Sequence, residues 1–343
     1  MYTSIYTNDL PDLIEQLTKT HEMQRLADVG MHCGCEYADT QIYKQARFPY
    51  SRLMHSIGVA GIVWHFTGDI KQAAAGLLHD IATPVFAHTI DFMNDDHMTQ
   101  ESTEDKTPAF IENSEEILSL LARSGIRAED VSDYHMYPIA DNNTPMLSAD
   151  RLEYTLGNAY IMFHENLDDI KEIYDDLTVT ANEYGKPELC FRSREKAKAF
   201  AEIAMRNSHF YVSDNDRFSM QYLADIMRLA LQTGTLNADD LYSSESAVIS
   251  KLKSSGRLAG AWEEYTKVAA AASSSEKMPD IYCVRADAKK RYIDPLALTQ
   301  NGAERISGVD SEIKELIESF LNLDLGRWLY AVTCQSDRAP ISP

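Results

Sequence analysis

Four side chains have types and surroundings that suit a divalent cation: His55, the adjacent pair His79-Asp80, and Asp150. His55 lies within SRLMHSIGVAGIVWHFT (51–67), where Leu53, Ile57, Ala60, Gly61 and Trp64 form one stripe at helical spacing. A single imidazole on such a segment is ordinarily a hydrogen-bonded core residue. His79 and Asp80 close a second apolar helix, IKQAAAGLLHD (70–80), which Pro84 helps to stop. Asp150 falls in the first turn of a third helix, 148–163, with Ser148 as its N-cap. A carboxylate beside apolar runs is costly to bury unless it is paired or metal-bound. Two imidazoles and two carboxylates together would supply borderline nitrogen and hard oxygen ligands, with room left for water.

The elements that must position these groups are mostly helical. Further helices are expected at 114–123, 195–212 and 216–233, with Gly234 as a left-handed stop for the last, and an amphipathic helix at 309–323. Few segments alternate as strands do. The expected fold class is therefore all-α: a helical body over 1–267, then a connector and a smaller mixed C-terminal element over 268–343. VAAAASSSEK opens that connector, and DIYCVRADAKKRYIDPL after it has a strand-like or irregular character.

Composition narrows the chemistry. At 44% hydrophobic and 25% charged, the 343 residues are ordinary globular material, able to bury a core without disulfides. Acids number 53 against 32 Lys and Arg, a formal charge of −21, which argues against general duplex nucleic-acid binding. A phosphate ligand would require concentrated basic residues or a metal. No apolar run approaches the roughly 20 residues of a membrane span. No secretory leader opens the chain, and its five cysteines are odd in number and scattered, so a cytoplasmic, reducing setting with free thiols is expected. His32-Cys33-Gly34-Cys35 lacks the distal pair that a metal or redox site would need. The acidic stretch 91–117 reads as a solvated loop. Lys289-Lys290-Arg291, with Arg285 before it, is a rare basic cluster, either solvated surface or a reach towards an anionic ligand or partner.

The local words are more specific than the spacing. RLMHSIGVAGI, AAAGLLHDIATPVFAH and SADRLEY, in that order, resemble the HD-domain metal-dependent phosphohydrolases, whose metal signature runs H…HD…D. Arg52-x-x-His55-Ser56-x-Gly58-Val59, His79-Asp80…Pro84…Phe86…His88-x-x-Asp91 and Asp150-Arg151-Leu152-Glu153-Tyr154 are similar to words of the deoxynucleoside triphosphate triphosphohydrolase branch. Gln24-Arg25-Leu26 with Gly30 is similar to its lead-in, LNADDLY (236–242) to its A-D-D segment, and Arg206 to a polyphosphate-binding helix arginine. The resemblance covers about residues 20–255. It implies an HD-type helical bundle in which His55, His79, Asp80 and Asp150 hold one divalent ion, such as Mn, Fe, Co, Ni, Zn or Mg.

It also implies hydrolysis of a small phosphorylated ligand, a nucleotide or related phosphate ester. Gln24, Arg52, Arg151, Tyr154 and Arg206 would contact the substrate, and Asp80, Asp91, His88 and Glu101 would serve the reaction. Relatives in this branch commonly assemble, so a homo-oligomer is an expectation. Several positions depart from the pattern. Thr83 stands where the branch has a catalytic histidine, Gln100-Glu101 where a second one precedes its glutamate, and Gly157-Asn158 where an arginine and a sugar-contacting aspartate lie; a sugar-stacking tyrosine falls near Asp214. The alternative reading is a degenerate HD protein that binds nucleotide and metal as a sensor or assembly partner. An oxidative two-iron HD enzyme would need more histidines in register than His88 and His97 offer.

Overall fold

The computed structural model describes residues 5–7, 9–94 and 106–332. The helices that carry the expected ligands are Arg52–Thr67, Ile70–Leu78 and Ala149–Ile161. Gly76 sits where the first two touch, with Val59 and Val63 against it, so their backbones approach closely. Buried residues of these helices, of Asp12–Thr18, Glu115–Arg123 and Arg194–Tyr211, and of Ser311–Leu321 form one apolar cluster. A second cluster lies under Asp214–Gln232, Glu245–Ser254 and Gly256–Tyr265. Gly234, at φ 70°, ends the helix Asp214–Gln232 as its position suggested.

The fold is not all-α. Among the described residues, seven strands form two sheets, giving a mixed α/β architecture. One sheet has four strands in the order Leu177–Ala181, Pro187–Phe191, Leu296–Thr299 and Gly302–Arg305. The first two form an antiparallel hairpin in register Val179↔Leu189, and the middle pair is parallel in register Cys190↔Leu296. The other sheet is antiparallel, with Trp328–Ala331 between Ala271–Ser274 and Cys283–Arg285.

These strands are short, and periodicity over helix-sized windows passes over them. Leu177-Thr178-Val179-Thr180 does alternate and is β-branched, and its partner joins it through a turn closed by Gly185 at φ 72°. The four-stranded sheet draws residues from both sides of the expected boundary at 267.

Candidate metal centre

Ser51 caps the helix Arg52–Thr67 by accepting from the Met54 N–H at 3.3 Å, and Gly68 ends it in the left-handed conformation. Arg52 and His55 therefore share a face, one turn apart. Asp69 caps Ile70–Leu78, and His79 and Asp80 fall in the turn that follows. Ser148 caps Ala149–Ile161 as expected, accepting from the Arg151 N–H at 3.2 Å. That fixes Asp150 in the first turn and Glu153 one turn later.

The three segments bring their polar ends together. One donor atom each from His55, His79 and Asp80 lies within 4.8 Å of the others. Asp80 Oδ2 is 3.5 Å from His79 Nε2 and 3.9 Å from His55 Nε2. Asp150 Oδ1 is 3.0 Å from His55 Nε2 and 3.8 Å from His79 Nε2. Ligand bonds of about 2.1 Å place neighbouring ligand atoms roughly 3–3.5 Å apart, a spacing close to that of the His55, His79 and Asp80 atoms; Asp150 approaches both imidazoles but lies outside that group of three.

The hydrogen bonds on the far sides of the rings test that fit. His79 Nδ1 is 2.7 Å from the Gly76 carbonyl, which can only accept, so Nδ1 carries the proton and Nε2 faces the carboxylates. His55 Nδ1 is 2.6 Å from Glu153 Oε2, which also accepts from the Tyr50 hydroxyl. Both rings thus present Nε2 inwards and have Nδ1 held from behind, the usual support for metal-binding histidines. Glu153 is fully buried and reaches His55 over Gly58, where any Cβ would collide with it. The glycine of the H-S-x-G-V word is therefore the gap through which the supporting carboxylate passes.

Electrostatics fit a cation site as well. Burial pushes the Asp80 carboxyl up, but Arg52, His79 and His55 outweigh it and hold the group well below the usual carboxylate range. Asp150 is held near 2, where bonding and attraction from His55 overcome burial. Burial lowers His55, yet Asp150 and Glu153 raise it to about 10. Arg52 Nη1 meets Asp80 Oδ2 at 3.0 Å and Oδ1 at 3.2 Å, and the Thr83 hydroxyl donates to Oδ1 at 2.7 Å. Thr83 therefore buttresses Asp80 at the position where the resemblance leads one to look for a histidine.

This centre opens on a cavity of about 720 Å³. His55, His79, Asp80, Asp150, Arg52, Arg151, His88 and Tyr154 all line it. Arg151 Nη1 donates to Asn142 Oδ1 at 2.6 Å and to the Met146 carbonyl at 3.0 Å. Asp91 is fully buried behind the wall and grips His88 Nδ1 at 2.8 Å, so it orients His88 and does not itself face the cavity. Phe86 and Ala87, just before His88, both have positive φ, a strain of about 1–3 kcal/mol each. Glu245 steadies this turn by accepting from the Phe86 N–H at 3.1 Å.

Two expected substrate contacts lie elsewhere. Gln24 is exposed and donates to the Thr18 carbonyl at 2.8 Å, a local bond at a helix end. Its neighbour Arg25 braces the turn after Asp80 through the Ile81 and Thr83 carbonyls at 2.9 and 2.7 Å. Arg206 pairs with Glu165 at 2.7 Å and stacks on Phe163, outside the cavity wall. Glu101 and His97 lie outside the described residues.

Several groups that the sequence did not single out as site residues share the cavity. His32 Nε2 is 2.9 Å from Asn158 Oδ1, and Asn158 Nδ2 donates to the Tyr211 hydroxyl at 2.6 Å. The Tyr50 hydroxyl occupies the space where a side chain on residue 157 would begin, so an arginine there is excluded. Tyr134 lies against His79 with ring centroids 4.9 Å apart, and His135 against Tyr134 at 4.5 Å. The aromatic run DYHMYP (133–138) was the available signal. Lys289 and Arg291 of the basic cluster also line this cavity.

No family model matches the chain. It is 26% identical over 312 residues, 90% of each chain, to an uncharacterised protein, YdhJ, of Bacillus subtilis. Over 176 residues it is 26% identical to the metal-dependent phosphohydrolase cns2 of Cordyceps militaris, a match covering 50% of this chain and 48% of that one. Among solved structures, a hypothetical protein of Aquifex aeolicus superposes with a TM-score of 0.64 at 15% identity, covering 94% of this chain and 93% of the other. A phosphohydrolase of Bacteroides thetaiotaomicron superposes with a TM-score of 0.62 at 13% identity, covering 94% and 96%. No helix among the described residues is long and apolar enough to cross a membrane. The chain is thus similar over about half its length to one metal-dependent phosphohydrolase, and it shares its fold with another phosphohydrolase.

Proposed function

We propose that the protein hydrolyses a phosphate ester or anhydride of a nucleotide or related compound, with one divalent ion held by His55, His79, Asp80 and Asp150. The observation that carries this reading is the pair of imidazoles that present Nε2 to the buried Asp80 and the half-buried Asp150 at the wall of a large cavity. A divalent ion bound there supplies Lewis-acid polarisation of a phosphoryl oxygen and acidification of water. The protein's own groups do the rest. Arg52 and Arg151 face the same cavity and suit phosphoryl oxygens, because a guanidinium offers donors in a planar fork. His88 is the proton-transfer group: it lines the cavity, and Asp91 fixes its Nδ1 and leaves Nε2 for exchange with substrate or water. Burial and the charges of Arg291 and Arg52 lower its pKa against the pull of Asp91, so it is largely neutral at pH 7 and able to accept a proton. Tyr134, His135, Tyr154 and Tyr211 supply aromatic surface for a base or other planar group.

The test is turnover. Purified protein is incubated with Mn²⁺, Mg²⁺, Co²⁺ or Ni²⁺ and nucleoside mono-, di- and triphosphates, and the products are identified by mass spectrometry. Release of orthophosphate, pyrophosphate or triphosphate identifies the bond cleaved. The second reading, a metal- and nucleotide-binding sensor without turnover, draws on Thr83, whose hydroxyl is committed to Asp80. Metal and nucleotide binding with no product across the panel would favour it and end the hydrolase reading.

A further inference from the structure

A second cavity, of about 390 Å³, shares His32 with the metal cavity as part of its wall. None of the candidate metal ligands lines it. Asp28, Glu36 and Glu245 do, and among the described residues no lysine or arginine joins them. Glu245 is fully buried and already engaged, accepting from the Gly30 N–H at 3.0 Å, the Phe86 N–H at 3.1 Å and the Tyr37 hydroxyl at 2.8 Å. Asp28 accepts from the Ser246 N–H at 3.2 Å. Glu36 differs: its Oε2 is buried and meets no donor among the described residues. Gly30 leaves room for this carboxylate, since a Cβ there would stand 1.8 Å from Glu36 Oε1. The hydroxyls around it are committed elsewhere. Tyr43 donates to Asp216 Oδ1 at 3.0 Å, Tyr50 to Glu153 and Tyr37 to Glu245. His32 Nε2 is 2.9 Å from Asn158 Oδ1, and burial lowers that imidazole to about 4, so it brings no charge. Burial outweighs the pull of nearby backbone N–H groups and of Arg52 and lifts the Glu36 carboxyl to about 7. A buried acid left in this condition is costly unless a donor or a cation reaches it. Tyr37, Tyr43, Phe48 and Tyr50 complete the wall with aromatic surface, which attracts positive charge.

We infer that this second cavity binds a small organic cation with N–H donors, an alkylammonium or guanidinium compound, whose charged head donates to Glu36 and whose carbon body packs among the aromatic side chains. The volume lies at the lower end of the range for small-molecule sites, roughly 300–1,000 Å³. A bare metal ion matches it less well. Hard cations gather about six or more oxygen ligands, whereas Glu245 is held by three donors and much of the wall is aromatic. The inference does not depend on what occupies the metal cavity, so it stands or falls separately from the hydrolase reading.

The experiment titrates the full chain by calorimetry at about pH 8, above the raised carboxyls of Glu36 and Glu245. The probes are butylammonium, benzylammonium and butylguanidinium, with 1-butanol and benzyl alcohol as uncharged counterparts. One saturable site per chain is expected for the cations and none for the alcohols. Tetramethylammonium, which has no N–H, should bind about tenfold more weakly than the others. Glu36→Gln keeps the shape of the side chain and removes its charge, so it should weaken the cations by roughly tenfold to a hundredfold. Ala46→Phe puts bulk into the cavity without a change of charge and should weaken them as well. Asp150→Asn should bind them as wild type does, because Asp150 lines the other cavity. Melting curves confirm that each variant is folded. The inference is overturned if no cation saturates with a Kd below about 10 mM, or if the alcohols bind as well as the cations. It is equally overturned if folded Glu36→Gln or Ala46→Phe binds the cations within about twofold of wild type. Binding that is lost in Asp150→Asn and kept in Glu36→Gln would place the cation in the metal cavity and would also overturn it.

Discussion

Glu153 makes the sharpest demand on the proposed centre, because it touches no solvent and serves His55 from behind. Glu153→Gln keeps its shape and removes its charge. The His55 Nδ1–H, now 2.6 Å from a carboxylate oxygen, would then donate to a neutral amide oxygen. A hydrogen bond to a charged acceptor contributes about 1.5–3 kcal/mol and a neutral one about 0.5–1.5 kcal/mol, so the support lost is about 1–1.5 kcal/mol. On that scale metal affinity should fall about tenfold, within the range seen when the supporting partner of a metal-bound histidine is removed. Gly58→Ala should act in the same direction with no change of charge, since its Cβ collides with the Glu153 side chain. Calorimetric titration of metal-free protein with Mn²⁺ measures both, and a melting curve confirms that each variant is folded. Folded variants whose Mn²⁺ affinity stays within about twofold of wild type would refute the reasoning, because Glu153 would then not be supporting a ligand.

Elemental analysis of purified protein should find about one transition-metal ion per chain, and His79→Ala or Asp80→Ala should lose most of it, since each removes one ligand of the set. Arg52→Met strips Asp80 of its buried partner at 3.0 Å, a loss of about 3–5 kcal/mol in metal-free protein. Added Mn²⁺ should restore much of that loss, so the variant's melting temperature should gain more from metal than wild type's does. Burial pushes Glu36 and Glu245 up to about 7, and the charge on Glu36 adds to the push on Glu245. Folded protein therefore binds more protons than unfolded chain between pH about 4.5 and 7, and stability should fall as pH rises across that window. Glu36→Gln should flatten the slope in denaturant titrations at several pH values, and an unchanged slope would count against the pair as its source.

Where the sequence repeated a strong local signal, it could be read. The helices carrying the expected ligands were legible because apolar stripes, the Ser148 cap and the stop at Pro84 agree with one another. The four candidate ligand positions were singled out by their flanking words. The hairpin Leu177–Phe191 was not, because its strands are five residues each and one partner, Leu296–Thr299, lies about a hundred residues away. Gln24 and Arg206 were assigned by likeness alone, and nothing local could show that one bonds a helix end and the other a glutamate. Lys289 and Arg291 needed the fold itself. Their approach to the cavity depends on Arg217 catching a carbonyl 69 positions along the chain.

The route of the chain through its sheets has a consequence for its integrity as one covalent piece. Residues 275–280 form a mostly exposed link between Ala271–Ser274 and Cys283–Arg285. A break there would leave two fragments that share both sheets: Ala271–Ser274 would still pair with Trp328–Ala331, and Pro187–Phe191 with Leu296–Thr299. Arg217 of the larger fragment would still grip Ala286 and Leu325 of the smaller. The two pieces are therefore built to reassociate, and a nicked or deliberately split chain should behave as a complementing pair. The larger fragment would carry all four candidate ligands but lack Lys289 and Arg291 from the cavity wall until the smaller one docks.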